Sequence, residues 1–162
     1  MPQRYIDGFE FAGTGGTCRG AWPIADLPRL QDIVRGNAGE VEYAVDGIRD
    51  SLGRPALRVK VGGVLQLTCQ RCLEAMPYRI DTESILVLAR NEAEAEAGEI
   101  DVEGPDRIVA AQEMPVRDLI EDEVLLAVPV ALRHDRCEEA RGAGQAKGSL
   151  PFAGLKGLLG DH

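Results

Sequence analysis

Residues 57–69, Leu-Arg-Val-Lys-Val-Gly-Gly-Val-Leu-Gln-Leu-Thr-Cys, decide the fold. Leu57, Val59, Val61, Leu65, Leu67 and Cys69 take the odd positions, while Arg58, Lys60, Gln66 and Thr68 take the even ones. A period of two belongs to a strand with one buried face. A two-residue hairpin at Gly62-Gly63 would break this phase and carry Val61's face onto Gln66 and Thr68, so the glycines read as a bend within one long strand. After Cys69-Gln-Arg-Cys72, a second run from Met76 to Ile80 and on through Ser84–Ala89 supplies an antiparallel partner, with the cysteines at the turn. Pro77 has no N–H to donate, so the neighbouring edge is expected to be open there.

Outward from this hairpin, Val41, Tyr43 and Val45 alternate in a strand over Glu40–Val45, followed by turn residues at Asp46-Gly47 and again over 51–55. Leu27, Leu30, Ile33 and Val34 share one face of a helix expected over 27–35, capped by Asp26, with Pro28 in its first turn and Gly36 ending it. The opening Arg4–Phe11 reads as a short strand, and Gly-Thr-Gly-Gly-Thr-Cys from Gly13 to Cys18, continuing to Pro23, as a loop. Residues 91–106 hold seven carboxylates and almost nothing to bury, which predicts a mobile acidic loop with transient helix in its middle. Residues 107–111 are compatible with a strand. Val116, Leu119, Ile120, Val124 and Ala127 then form a helical stripe that Pro129 stops, with Asp118, Glu121, Asp122 and Glu123 read as its solvated side. The expected fold is α+β: a single domain over residues 1–137 in which an antiparallel sheet is flanked by two short helices, 27–35 and 116–127. Residues 138–162 are a flexible linker and an apolar tail, Leu150 to Leu159, that docks on the domain or on a partner.

Length and composition agree with one soluble globular domain. The chain has 162 residues, 44% hydrophobic and 28% charged, with mean hydropathy −0.14. No apolar run approaches the roughly 18–20 residues a membrane span needs. The first residues lack the apolar stretch of a secretory signal, so a cytoplasmic location is expected. The net charge of −9 excludes a protein that coats nucleic acid through overall basicity. The charge is uneven, net +4 over residues 49–79 and net −11 over 81–123.

Two constellations carry chemistry. Cys69-x-x-Cys72 at a hairpin turn has zinc-knuckle spacing and supplies half a tetrahedral site, and His134-x-x-Cys137 is the other place where two ligand types sit close together. Structural Zn2+, reduced and partly buried thiols, and a redox pair all remain open for these four residues; Cys18 reads as a free thiol. Arg58, Lys60, Arg71 and Arg79, with Tyr78 beside them, form a basic hairpin suited to phosphate and base-stacking contacts with RNA, or simply a polar strand face. No phosphate loop or nucleophile elbow is present, and the 118–123 carboxylates read as a solvated face rather than a Mg2+ site.

The block Leu67-Thr-Cys-Gln-Arg-Cys-Leu-Glu74, the segment Asp118-Leu-Ile-Glu-Asp-Glu-Val-Leu-Leu-Ala-Val-Pro129, then Cys137, and finally Pro151-Phe-Ala-Gly-Leu-Lys156, resemble the bacterial YceD family in order and spacing. The family's motif positions are here Cys69, Arg71, Cys72, Leu73 and Glu74, with Glu121, Asp122, Glu123 and Pro129; the resemblance assigns them no role. Leu150 stands where Asn usually precedes the Pro-Phe-Ala step. The resemblance implies a non-enzymatic factor for accumulation or processing of 23S ribosomal RNA and assembly of the large subunit, with large-subunit rRNA or a basic ribosomal protein as partner. Two rivals stand beside it. One is an acidic protein-binding adaptor without RNA contact, and the other is a metal- or thiol-dependent enzyme acting on RNA.

Overall fold

The computed structural model describes residues 5–97 and 104–137; the expected linker and tail over 138–162, and the middle of the acidic stretch, lie outside these residues. In chain order the elements are β1 (Tyr5–Ile6), α1 (Gly8–Thr14), β2 (Thr17–Pro23), two 3-10 turns (Ile24–Asp26 and Pro28–Leu30), β3 (Glu40–Arg49), β4 (Pro55–Thr68), β5 (Ala75–Ala89), α2 (Glu92–Glu96), β6 (Asp106–Val109), β7 (Met114–Pro115) and α3 (Val116–Ala127). One sheet runs β2-β3-β4-β5-β6, and β1 pairs separately with β7.

The long strand expected from the period of two is β4, and it is continuous through Gly62-Gly63. It pairs antiparallel with β5 from Ala56↔Val87 to Thr68↔Ala75, which puts Cys69–Cys72 at the turn. Leu57, Val59, Val61, Leu65 and Leu67 on β4, Val41, Tyr43 and Val45 on β3, and Ile80, Leu86 and Leu88 on β5 all belong to the buried core. β6 pairs with β5 only over Leu86–Ala89, so no sheet partner faces Pro77 on that side among the described residues. The pairing is parallel, which makes the sheet mixed rather than strictly antiparallel. The crossover through α2 brings the chain back in the same direction as β5, as parallel strands require.

Four local readings are corrected. The expected strand at the N-terminus shrinks to Tyr5–Ile6, and Gly8–Thr14 is helical: Asp7 accepts from the Glu10 N–H at 2.9 Å, and Gly15, with φ 66°, closes the other end. The stretch read as loop contains β2, paired with β3 from Thr17↔Asp46 to Pro23↔Glu40. Asp46-Gly47 is therefore interior to a strand. Gly47 stands there because α1 crosses at that point: a Cβ on it would meet the Phe11 carbonyl oxygen at 2.1 Å. The expected helix 27–35 is a single 3-10 turn, Pro28–Leu30, followed by irregular chain, and Asp26 ends the preceding 3-10 turn instead of capping a helix. Ile24, Leu27, Leu30 and Ile33 fall every three residues, the period that aligns side chains in a 3-10 turn. The apolar stripe was right about burial and wrong about pitch, since Leu27 and Leu30 have no exposed surface.

α3 matches its expected bounds and packs Val116, Leu119, Ile120 and Val124 on the sheet. Its acidic side, however, is not the solvated face read from the sequence. Glu121 is 1% exposed and Glu123 5% exposed. Glu121 Oε1 accepts the Arg29 backbone N–H at 2.8 Å, which fastens the second 3-10 turn to α3, and Asp122 pairs with the Arg29 guanidinium. Glu123 is held up from the ordinary carboxylate range, chiefly by burial, although Ser84 on β5 hydrogen-bonds to it.

Candidate metal centre

The β4–β5 turn is built tightly. The Cys69 N–H donates to the Glu74 carbonyl at 2.9 Å, and the Leu73 N–H donates to the Cys69 carbonyl at 3.0 Å. Leu73 itself sits at φ 61°, a left-handed conformation that costs a non-glycine residue, and the Arg35 guanidinium holds its carbonyl at 2.8 Å. This geometry aims both cysteines of the turn the same way. After α3, the segment through Leu132 comes back to the turn, where the Gln70 N–H donates to the Leu132 carbonyl at 2.9 Å and delivers His134 and Cys137.

The two pairs, more than sixty positions apart in the chain, meet. Cys69 Sγ lies 3.6 Å from Cys137 Sγ, and Cys72 Sγ lies 3.3 Å from His134 Nδ1. The donor atoms of all four residues lie within 4.8 Å of one another. Tetrahedral coordination with metal–sulfur bonds of about 2.3 Å needs donors at such separations. Four protein donors leave no position for substrate, so the arrangement is compatible with a structural metal site.

Electrostatics favour a ligand at Cys69. Burial pushes its thiol up, but the N–H groups of Cys72, His134 and Arg71 and the Cys72 thiol outweigh burial and bring it to about 5. The Arg71 and His134 N–H groups stand 3.4 and 3.5 Å from its sulfur. The Cys137 thiol is pushed up by burial and by hydrogen bonding and charge from Cys69 and Cys72. Three thiols crowded together repel as thiolates, and a cation relieves that repulsion. The fourth cysteine, Cys18, is on β2, remote in the sheet, and its sulfur lies 3.9 Å from the Tyr43 hydroxyl. Burial and this contact push Tyr43 up to about 12.

The basic residues of the hairpin are dispersed. Arg58 and Lys60 converge on Glu83, at 3.3 and 2.7 Å, on the face of the sheet away from the core. Arg19 reaches Asp46 on the same face at 3.6 Å. Arg79 lies further along β5 beside a shallow pocket that Glu40, Glu42 and Asp81 also line, and Arg71 is exposed in the cysteine turn. Tyr78 belongs to the core side, where its hydroxyl donates to the Ala127 carbonyl at 3.2 Å. Sequence reading missed the carboxylates of α3 as structural fasteners; their position within an apolar stripe was the available signal.

No curated protein and no solved structure matches the chain. A family model does match, over residues 57–159, from the start of the β4 periodicity through both ligand pairs. The chain therefore belongs to the YceD family, described as large ribosomal RNA subunit accumulation protein YceD.

Proposed function

We propose that this protein is a non-enzymatic factor for 23S rRNA accumulation and large-subunit assembly, built around a structural Zn2+ held by Cys69, Cys72, His134 and Cys137. The observation that carries the zinc reading is the convergence of three sulfurs and one imidazole nitrogen within 4.8 Å. Cys3His is a donor set typical of structural zinc, and a closed site gives the ion no catalytic position. The ion's task is to fix the turn and the segment after α3 in one arrangement. The family assignment supports the RNA role.

For direct RNA contact we favour Arg71 and Arg79, exposed and without an ion pair among the described residues. Arg58 and Lys60 join them when phosphate displaces Glu83, an exchange made cheap by the small worth of half-exposed pairs. The test is complementation in cells lacking the protein. Loss of the protein should lower 23S rRNA, wild type should restore it, and Cys72→Ser, which should purify without the roughly one zinc per chain of wild type, should not. Unchanged 23S rRNA in cells lacking the protein overturns the reading. The net −11 of residues 81–123 favours the adaptor reading as the second choice. A fall in rRNA without any crosslink between protein and RNA decides for the adaptor.

A further inference from the structure

We propose that a cleft beside the edge strand β2 binds one guanine base of single-stranded RNA, a site distinct from the metal centre and resting on the rRNA reading above. Tyr5 and Pro115 of the β1–β7 pair, Trp22 of β2, Asp26 and Pro28 of the 3-10 turns, and Arg117 in the first turn of α3 line it, around a volume of about 530 Å³. Small-ligand sites commonly span about 300–1,000 Å³, so a nucleotide fits. Only seven of the chain's residues are aromatic, and two stand here, one of them the sole tryptophan. Tyr5 is 57% exposed, an unusual setting for a large ring in a domain whose other tyrosines are at least partly buried.

The lining matches a nucleotide part by part. The exposed Tyr5 and the part of Trp22 not packed against the core offer stacking surface, which accepts a base whatever its identity. The exposed Asp26 carboxylate is an acceptor only, with two oxygens side by side. Guanine alone among the four RNA bases offers two neighbouring N–H donors on its pairing edge, the edge that proteins read in unpaired RNA. Arg117 supplies a guanidinium for the phosphate. Its present partner, Asp118, is 3.5 Å away and both side chains are about half exposed, so the pair holds it weakly. A proline-rich peptide would use the same walls and leave Asp26 and Arg117 idle. Affinity from stacking also suits a chain of net charge −9, in which overall electrostatics oppose RNA.

Because Trp22 is the only tryptophan, its fluorescence reports the cleft directly in the full-length protein. Titration with the trinucleotides UGU, UAU, UCU and UUU should give saturable quenching by UGU at concentrations about tenfold below the others. Tyr5→Ala should weaken UGU about tenfold, Tyr5→Phe should retain it, and Asp26→Asn should erase the guanine preference while thermal stability is unchanged. No quenching by any trinucleotide, equal quenching by all four, or quenching by decaproline in their place overturns the assignment. The two readings fail separately. Cellular rRNA crosslinks that persist in Tyr5→Ala, together with no quenching, sink the cleft and leave the rRNA role standing. Unchanged 23S rRNA in cells lacking the protein sinks that role whatever the cleft binds.

Discussion

Residues 24–35 and 128–137 run beside the same end of β4, each without an α-helix or a regular strand, and they are fastened by opposite means. Both line a groove with Leu67 and Gln70. The first segment buries Ile24, Leu27 and Leu30 at 1%, 0% and 0% exposure, and is further tied by Glu121 and by a bridge between Val34 and Leu67. In the second, no residue is fully buried. An irregular segment with fully buried apolar side chains is held by burial, whereas one whose apolar side chains stay partly exposed gains more from cross-links. His134 and Cys137 thus stand on the segment with the weaker apolar anchor, where only Val128 and Leu132 pack, partly buried, against the core.

For the proposed zinc site, chelation should give the largest effect and fall unevenly on the two segments. With free zinc about 100 to 1,000 times its dissociation constant, chelation should lower unfolding free energy by about 3–4 kcal/mol. Hydrogen exchange should then show lost protection over 128–137 and kept protection over 24–35. Equal loss in both would break the comparison. Leu30→Ala should cost about 3 kcal/mol in a urea melt, as a fully buried leucine does, while zinc content stays at the wild-type level. Glu121→Gln keeps shape but weakens the acceptor for the Arg29 N–H. A cost of about 1 kcal/mol, with faster exchange confined to 28–35, is the expected result.

Glu123→Gln is the smallest and tests the other buried carboxylate. A carboxyl raised in the folded state favours the protonated form there, so its stabilising share is complete below the unfolded pKa and is lost as pH rises through the folded one. The variant should therefore gain on wild type in Tm at pH 7, and the gain should vanish as pH falls below the ordinary carboxylate range. A variant less stable than wild type at both pH values would mean that the Ser84 contact outweighs burial.

What the sequence made legible follows the same division. The β4–β5 hairpin was readable because the period of two over Leu57–Cys69 outweighed the turn that Gly62-Gly63 could have made, and the Cys69/Cys72 and His134/Cys137 pairs because each sets two donor side chains three positions apart. Each pair announced itself locally; that they meet depends on α3 and the Leu132 return, which no local pattern encodes. The N-terminal helix was hidden by two glycines, which disfavour a helix, and two phenylalanines, which favour a strand, although Asp7, Glu10 and Gly15 marked its ends. β2 was hidden by the glycines in and before it, since an edge strand is defined by its partner more than by its own composition. Glu121 and Glu123 were misread because charge on a helix next to a core is ordinarily solvated, and only the approach of the 3-10 turn and of Ser84 makes their burial tolerable.

The convergence of Cys72 with His134 joins positions 62 apart in sequence. In polymer terms an ion bound there closes a ring that contains β5, α2, β6, β7 and α3. A covalent cross-link over such a span removes about 4 kcal/mol of chain entropy from the unfolded state. The ring also encloses the whole stretch of net charge −11, so an ion bound there would add one more closure around the most self-repelling part of the chain, beyond the β5 pairing and the α3 packing that already hold its two ends.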